Sequence, residues 1–264
     1  WKILKDKILN FLSIEEDEEV ISEDGDDIVD EEDDLGSFTQ EAKDVIRERA
    51  QAEYYFIDNG EKEKLIKGLL NKKSLDSYDL KLDSSLMKFV SSKISFDELW
   101  YVPGGLEKMG SKYVYDTKWN QKLRAVANEN LQRLAKDFYK KFGKKVKVVS
   151  AYRSYDYQKW IKDRGCPDNL CAKAWFSEHQ TGLAVDIWEA STNKRWKTDK
   201  ELLQYYNWLK DNAYKYGFHN TYQKWLDVDG YEIEPWHWRY LWDELALHLK
   251  EKGITIAEFY ADRD

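Results

Sequence analysis

Between Ser13 and Asp34 the chain carries 14 acidic residues and neither Lys nor Arg. Like charges this dense repel one another, and the few apolar residues among them bury too little surface to offset the entropy of ordering. Residues 1–36 are therefore read as an acidic, disordered tether. It is a solvated spacer or, in a second reading, an acidic interaction tail or cation trap. The whole chain has a formal charge of −8, so the remainder is left at about +6.

The fold must come from the residues beyond the tether. Residues 37–97 read as a helical N-terminal extension packing on the core: a helix over 40–59, a shorter one over 65–70, then a Ser-, Asp- and Lys-rich stretch without period. From 98 to 264 the patterns sharpen. Leu123, Val126, Ala127, Leu131, Leu134, Ala135, Phe138 and Phe142 recur at helical spacing within 118–142, and Gly143 stops that helix. Lys145 to Tyr152 alternates Lys with Val, as a half-buried strand does. Helical patterns return over 199–216 and 238–252, closed by Gly217 and Gly253, and short extended stretches fall at 183–188 and 231–236. Helices and strands interleave without a regular β-α-β rhythm, so the class is α+β. The 12 Trp and 18 Tyr supply apolar area for a core and for an aromatic-lined groove.

Some function classes fall away. No Lys/Arg block interleaves with aromatics as in a surface that tracks phosphates, so no nucleic-acid partner is expected. The spread of positive charge suits approach to an anionic polymer such as a cell wall. No run of about 18 apolar residues is present, so no membrane span is expected in this chain. The first residue is Trp1 rather than Met, so the natural start is expected to lie upstream, where there is room for a signal peptide or membrane anchor. The only cysteines, Cys166 and Cys171, have four residues between them in a loop-like stretch. They are expected to form a disulfide, which implies an oxidising, extracytoplasmic compartment.

Four histidines limit where imidazole chemistry can occur, and two stand in dense company. His179 lies in Ser177-Glu178-His179-Gln180-Thr181-Gly182-Leu183-Ala184-Val185-Asp186, and His237 in Glu234-Pro235-Trp236-His237-Trp238. A catalytic zinc takes three protein ligands and leaves a fourth position open. His179, Asp186 and His237 supply that set, with Gly182 turning the chain between the first two. Glu234 stands three residues before His237, where it can act as the base that moves protons to and from a zinc-activated water. Pro235 stiffens the link, and Trp236 and Trp238 are expected to wall the site. Arg153, at the end of the predicted strand with Gln158 five residues on, can hold a substrate carboxylate or stabilise an oxyanion. His248 is expected to be a packing or surface residue. His219 follows Gly217-Phe218 near the site and keeps a minor substrate-side reading.

These blocks resemble the M15B, VanY-type D-alanyl-D-alanine carboxypeptidases of the LAS metallopeptidase group. The resemblance runs from about Trp100 to the C-terminus, through Tyr101-Val102-Pro103, Tyr152-Arg153-Ser154, the His179 block, Glu234-Pro235-Trp236-His237 and the ending Gly253 to Tyr260. It implies a small antiparallel sheet carrying one zinc ion, packed by helices. It also implies a peptidoglycan stem peptide as substrate, and a monomer facing the cell wall. By resemblance Arg153, Gln158, Ser177, Tyr152 and Trp236 line the substrate site. Ala151 and Thr221 depart from residues common in relatives. That leaves open removal of D-alanine from pentapeptides, an L,D-carboxypeptidase acting on tetrapeptides, and an endopeptidase. A zinc-stabilised wall-binding module is the non-enzymatic alternative, and Glu234 argues against it.

Overall fold

The computed structural model describes residues 80–262 except 189 and 191. The acidic tether and the helices expected over 40–59 and 65–70 lie outside the described residues. The strands are β1 (Leu106–Lys108), β2 (Val114–Asp116), β3 (Lys122–Arg124), β4 (Val146–Ser150), β5 (Ala184–Ile187), β6 (Phe218–Asn220) and β7 (His237–Tyr240). The helices are α1 (Ala125–Phe142), α2 (Tyr155–Asp163), α3 (Asn193–Thr198), α4 (Lys200–Asn212), α5 (Leu226–Asp229), α6 (Asp243–Lys252) and α7 (Ile256–Ala261). Strands β1 and β3 form a ribbon, while the main sheet has the order β2-β4-β5-β7-β6. All its neighbours are antiparallel except the edge pair β2 and β4. The class is α+β, a small, mainly antiparallel sheet packed by helices.

Helix α1 starts later than its apolar spacing suggests. Residues 122–124 pair with β1 instead, and the chain enters the helix from extended Arg124. Its buried stripe, from Val126 to Phe138, ends in an aromatic cluster where Phe138 meets Phe142, Trp188, Tyr205 and Trp208 at ring distances of 4.6–5.4 Å. A fully buried ring such as Phe138 stabilises the fold by about 1.5–3 kcal/mol. The helix expected from Trp238 starts only at Asp243, and the extended stretch expected at 231–236 is displaced to His237–Tyr240. Pro235 explains the shift, because it has no N–H for a ladder and the chain turns there, with the His237 N–H donating to Glu234 O at 3.2 Å.

Residues 80–97 contain no helix and belong to the same core. Leu80, Met87 and Phe89 join Leu241, Leu245, Leu249, Ile256, Phe259 and Tyr260, with Phe89 stacked on Tyr260 at 4.4 Å. The fully buried Arg239 reaches from β7 to donate to Leu86 O and Lys88 O. A domain boundary at 98 therefore does not mark a break in packing among the described residues.

Candidate metal centre

Register brings the site together. In the β5–β7 pair Asp186 stands opposite His237, and in the β4–β5 pair Ser150 stands opposite Asp186. Opposed residues share a face, so Asp186 and His237 point to one side. His179 arrives from a 3-10 turn, Glu178–Thr181, that ends on Gly182 at φ 70°. That glycine is required twice over: the backbone is left-handed, and a Cβ would lie 2.8 Å from a Leu106 methyl. The turn carries His179 back over Asp186, with Nε2 of His179 3.2 Å from Oδ2 of Asp186 and Nδ1 of His237 3.0 Å from Oδ1. One ligand atom from each of the three lies within 4.8 Å of the others.

The remaining nitrogens of the two imidazoles are committed elsewhere. Nδ1 of His179 lies 2.7 Å from Ala151 O, a carbonyl that can only accept, so the proton sits there and Nε2 keeps its lone pair. Nε2 of His237 lies 2.8 Å from Oε2 of Glu178, which also accepts the Thr221 hydroxyl at 2.7 Å. Nδ1 of His237 is thereby the nitrogen turned toward Asp186. Two imidazole nitrogens and a carboxylate, each braced by an outer partner, form the donor set a catalytic zinc takes. Glu178 is the residue the motif reading passed over. It is buried beside Arg239, whose Nη1 stands 3.9 Å from Oε1.

Electrostatics follow the same layout. Burial and the Arg153 charge lower His179 to about 4. For His237 burial acts downward, but hydrogen bonds to Asp186 and Glu178 win and hold it up at about 10. Burial would raise Asp186 and Glu178; the cationic neighbours outweigh it, and both stay ionised. Glu234 differs: burial pushes its carboxyl up to about 8, and it makes no ion pair among the described residues. Its backbone is fixed by Asn220, whose side-chain amide donates to both Glu234 O and His237 O at 2.8 and 2.7 Å.

Beside the triad, Arg153 donates through Nε to Ser150 Oγ, through Nη1 to Gln158 Oε1 and through Nη2 to Asp186. Gln158 is fully buried and donates in turn to Ala172 O, so it holds Arg153 in place. Ser177 is likewise buried, and its hydroxyl caps the turn by accepting from His179 N. Tyr152 is half-buried, and burial raises its phenol above the usual range. Trp236 is buried, with its carbonyl accepting from Ile187 N. Trp238 does not wall the site. It follows His237 on the strand and lines a separate cavity of about 250 Å³ that also contains His219. His219 is brought near Gln223, not into the His179–Asp186–His237 triad, and His248 packs edge-on to Phe259. A cleft of about 450 Å³ opens from Asp186 and Arg153 and is walled partly by Cys171, which is disulfide-bonded to Cys166.

Comparison with known proteins agrees with this geometry. The family model described as "VanY: D-alanyl-D-alanine carboxypeptidase" matches residues 120–243. The Bacillus subtilis (strain 168) protein YodJ is 34% identical over 169 residues, 61% of this chain and 62% of that protein, so the chain spans about three fifths of this relative's length. Among solved structures, the LdcB LD-carboxypeptidase, described for its peptidoglycan recognition, is 30% identical with a TM-score of 0.59 over 72% of this chain and 92% of its own. The vancomycin resistance D,D-pentapeptidase VanY of a VanB-type cassette, in complex with Zn(II), is 26% identical with a TM-score of 0.50 over 65% and 97%. With a matching family model, a shared fold and coverage of nearly all of LdcB at 30% identity, the chain belongs to the VanY-type carboxypeptidase family of the LAS group.

Proposed function

We propose that the chain is a zinc-dependent D-alanyl-D-alanine carboxypeptidase, which removes the C-terminal D-alanine of peptidoglycan stem peptides outside the cytoplasm. One observation carries the reading: each imidazole of the triad has its other nitrogen tied to an acceptor, so Nε2 of His179, Nδ1 of His237 and the Asp186 carboxylate converge. His179, Asp186 and His237 would hold one zinc ion. When bound, zinc acidifies a water to a pKa of about 7 and polarises the scissile carbonyl.

The other roles belong to the chain. Glu234, whose carboxyl burial holds up at about 8 in the metal-free protein, would be ionised by the charge of a bound zinc, take a proton from the attacking water and hand it to the leaving amine. Arg153 exchanges its contact with Asp186 for the substrate's terminal carboxylate or the developing oxyanion, while Ser150 and Gln158 keep its guanidinium aimed. Tyr152 and Trp236 flank the peptide, and Ser177 sets the pose of His179. The likeness to LdcB favours a second reading, an L,D-carboxypeptidase.

The test is to quantify bound metal, then incubate the protein with pentapeptide and tetrapeptide stems and identify products by mass spectrometry. Loss of one alanine from the pentapeptide is expected. Loss from the tetrapeptide alone selects the L,D reading, and a zinc-loaded protein that cleaves neither refutes both.

A further inference from the structure

The cleft that starts at Asp186 and Arg153 runs on to two lysines, Lys118 and Lys147, which the proposed chemistry does not use. Among the described residues neither has a carboxylate partner. Lys118 reaches only Tyr157, with Nζ 3.4 Å from the phenol oxygen and 5.5 Å from the ring centre. The only acid lining the cleft among the described residues is Asp186, already engaged by Arg153, His179 and His237. Among the described residues the far end of the cleft is therefore lined by cations and by no free carboxylate.

It is also rigid. The Asp116 carboxylate accepts from Lys118 N and Gln121 N at 2.8 and 2.9 Å, and Thr117 is bonded to Val148 O of β4. Trp119, in the same turn, is 75% exposed and held at φ 68°. A bulky residue keeps a left-handed backbone only where its surroundings over-determine it, and such strain collects at binding sites. Lys147 precedes Ser150, the residue that orients Arg153, by three positions on β4. At about 3.3 Å per residue this is about 10 Å, which an extended peptide bound by its terminal carboxylate at Arg153 covers in about three residues.

We propose that Lys118 and Lys147 form a second carboxylate subsite, which binds a free carboxylate carried by the peptide substrate about three residues upstream of its C-terminus. The assignment rests on the carboxypeptidase reading and adds a determinant of substrate choice to it.

The test uses two synthetic peptides ending in D-alanyl-D-alanine, with the upstream carboxylate either free or amidated. Both are assayed for hydrolysis, and their products, shortened by one alanine, are titrated calorimetrically into the zinc-loaded protein. The free acid should show a KM and a product Kd about ten-fold lower than the amide, and the ratio should collapse toward one in the double variant Lys118→Gln/Lys147→Gln. Hydrolysis of both peptides with equal KM and Kd in the wild-type protein overturns the subsite and leaves the carboxypeptidase reading standing. Failure to cleave either, with the acid still bound about ten-fold more tightly, overturns the carboxypeptidase reading and leaves the subsite. A ratio that survives the double substitution removes the lysines from the assignment.

Discussion

Replacing Glu178 with Gln removes one buried negative charge at nearly constant volume, and the structure allows its two consequences to be worked separately. The first concerns His237. Oε2 of Glu178 accepts both the His237 Nε2 proton at 2.8 Å and the Thr221 hydroxyl at 2.7 Å. A carboxamide oxygen is a weaker acceptor for both, and the imidazole becomes a poorer donor to a metal at Nδ1. Outer partners of this kind change metal affinity by about 10- to 100-fold, or about 1.4–2.7 kcal/mol.

The second consequence concerns Arg239, fully buried with Nη1 3.9 Å from Oε1 of Glu178. At an effective dielectric of about 20 that pair is worth about 4 kcal/mol. The guanidinium keeps its bonds to Thr181 Oγ1 and to the carbonyls of Leu86, Lys88 and Tyr240, so the net loss is about 2–4 kcal/mol. A domain of this size should then melt about 5–15 °C lower. Competition with a chromophoric chelator reads the first effect, and calorimetry of the metal-free protein reads the second. Thr221→Val, which removes one hydrogen bond and no charge, should weaken metal binding by only a few fold. A Glu178→Gln protein whose zinc Kd stays within two-fold of wild type would refute the claim that Glu178 holds His237 in its ligating tautomer.

Two other groups give measurable outcomes of their own. In the metal-free protein burial holds Glu234 protonated up to about pH 8, whereas its ordinary value is 4.5. The folded state binds the extra proton between these values, so stability is full below pH 4.5 and falls as pH rises toward 8, by about 3–5 kcal/mol. Metal-free Glu234→Gln should therefore melt above wild type at pH 8 and level with it at pH 4.5, and D-alanine release should drop by about 10²–10⁴-fold with zinc content unchanged; equal melting at pH 8 contradicts the burial argument. Cys166→Ser/Cys171→Ser opens a short loop whose closure contributes about 2 kcal/mol. Because Cys171 lines the cleft, KM should rise several-fold while kcat holds, and an unchanged melting temperature and KM would exclude the loop as a wall.

The parts of the molecule legible in the sequence are those in which local pattern decides the outcome. Helix α1 announces itself by a stripe from Val126 to Phe138, β4 by alternating Val and Lys, and the stops at Gly143, Gly217 and Gly253 by the left-handed backbone each adopts. The misplacements have local causes too. Tyr231 to Glu234 alternates like a strand, yet Pro235 withholds the donor a ladder needs, so pairing starts at His237. Helical spacing runs back from α6 through Trp238, but the chain is broken at Trp242, which takes φ 71°. Nothing in the spacing of Trp238, Arg239 and Tyr240 tells that Arg239 must be buried with acceptors in the 80s.

Glu178 shows most clearly where reading by pattern stops. It lies beside His179 in a run of four polar residues, Glu178 to Thr181, all of them buried. A solvated turn would have the same composition. What makes the run buriable is spread along the chain: Thr221 and His237 for Glu178, Ala151 O for His179, Leu99 O and Tyr101 O for Gln180, and Arg239 for Thr181. A buried carboxylate is tolerated only when paired and hydrogen-bonded, so the triad and its outer partners must form together. The triad can be recognised by residue type because zinc chemistry restricts the choice. Glu178 is selected by the fold, through the nitrogen of His237 that the triad leaves facing the interior.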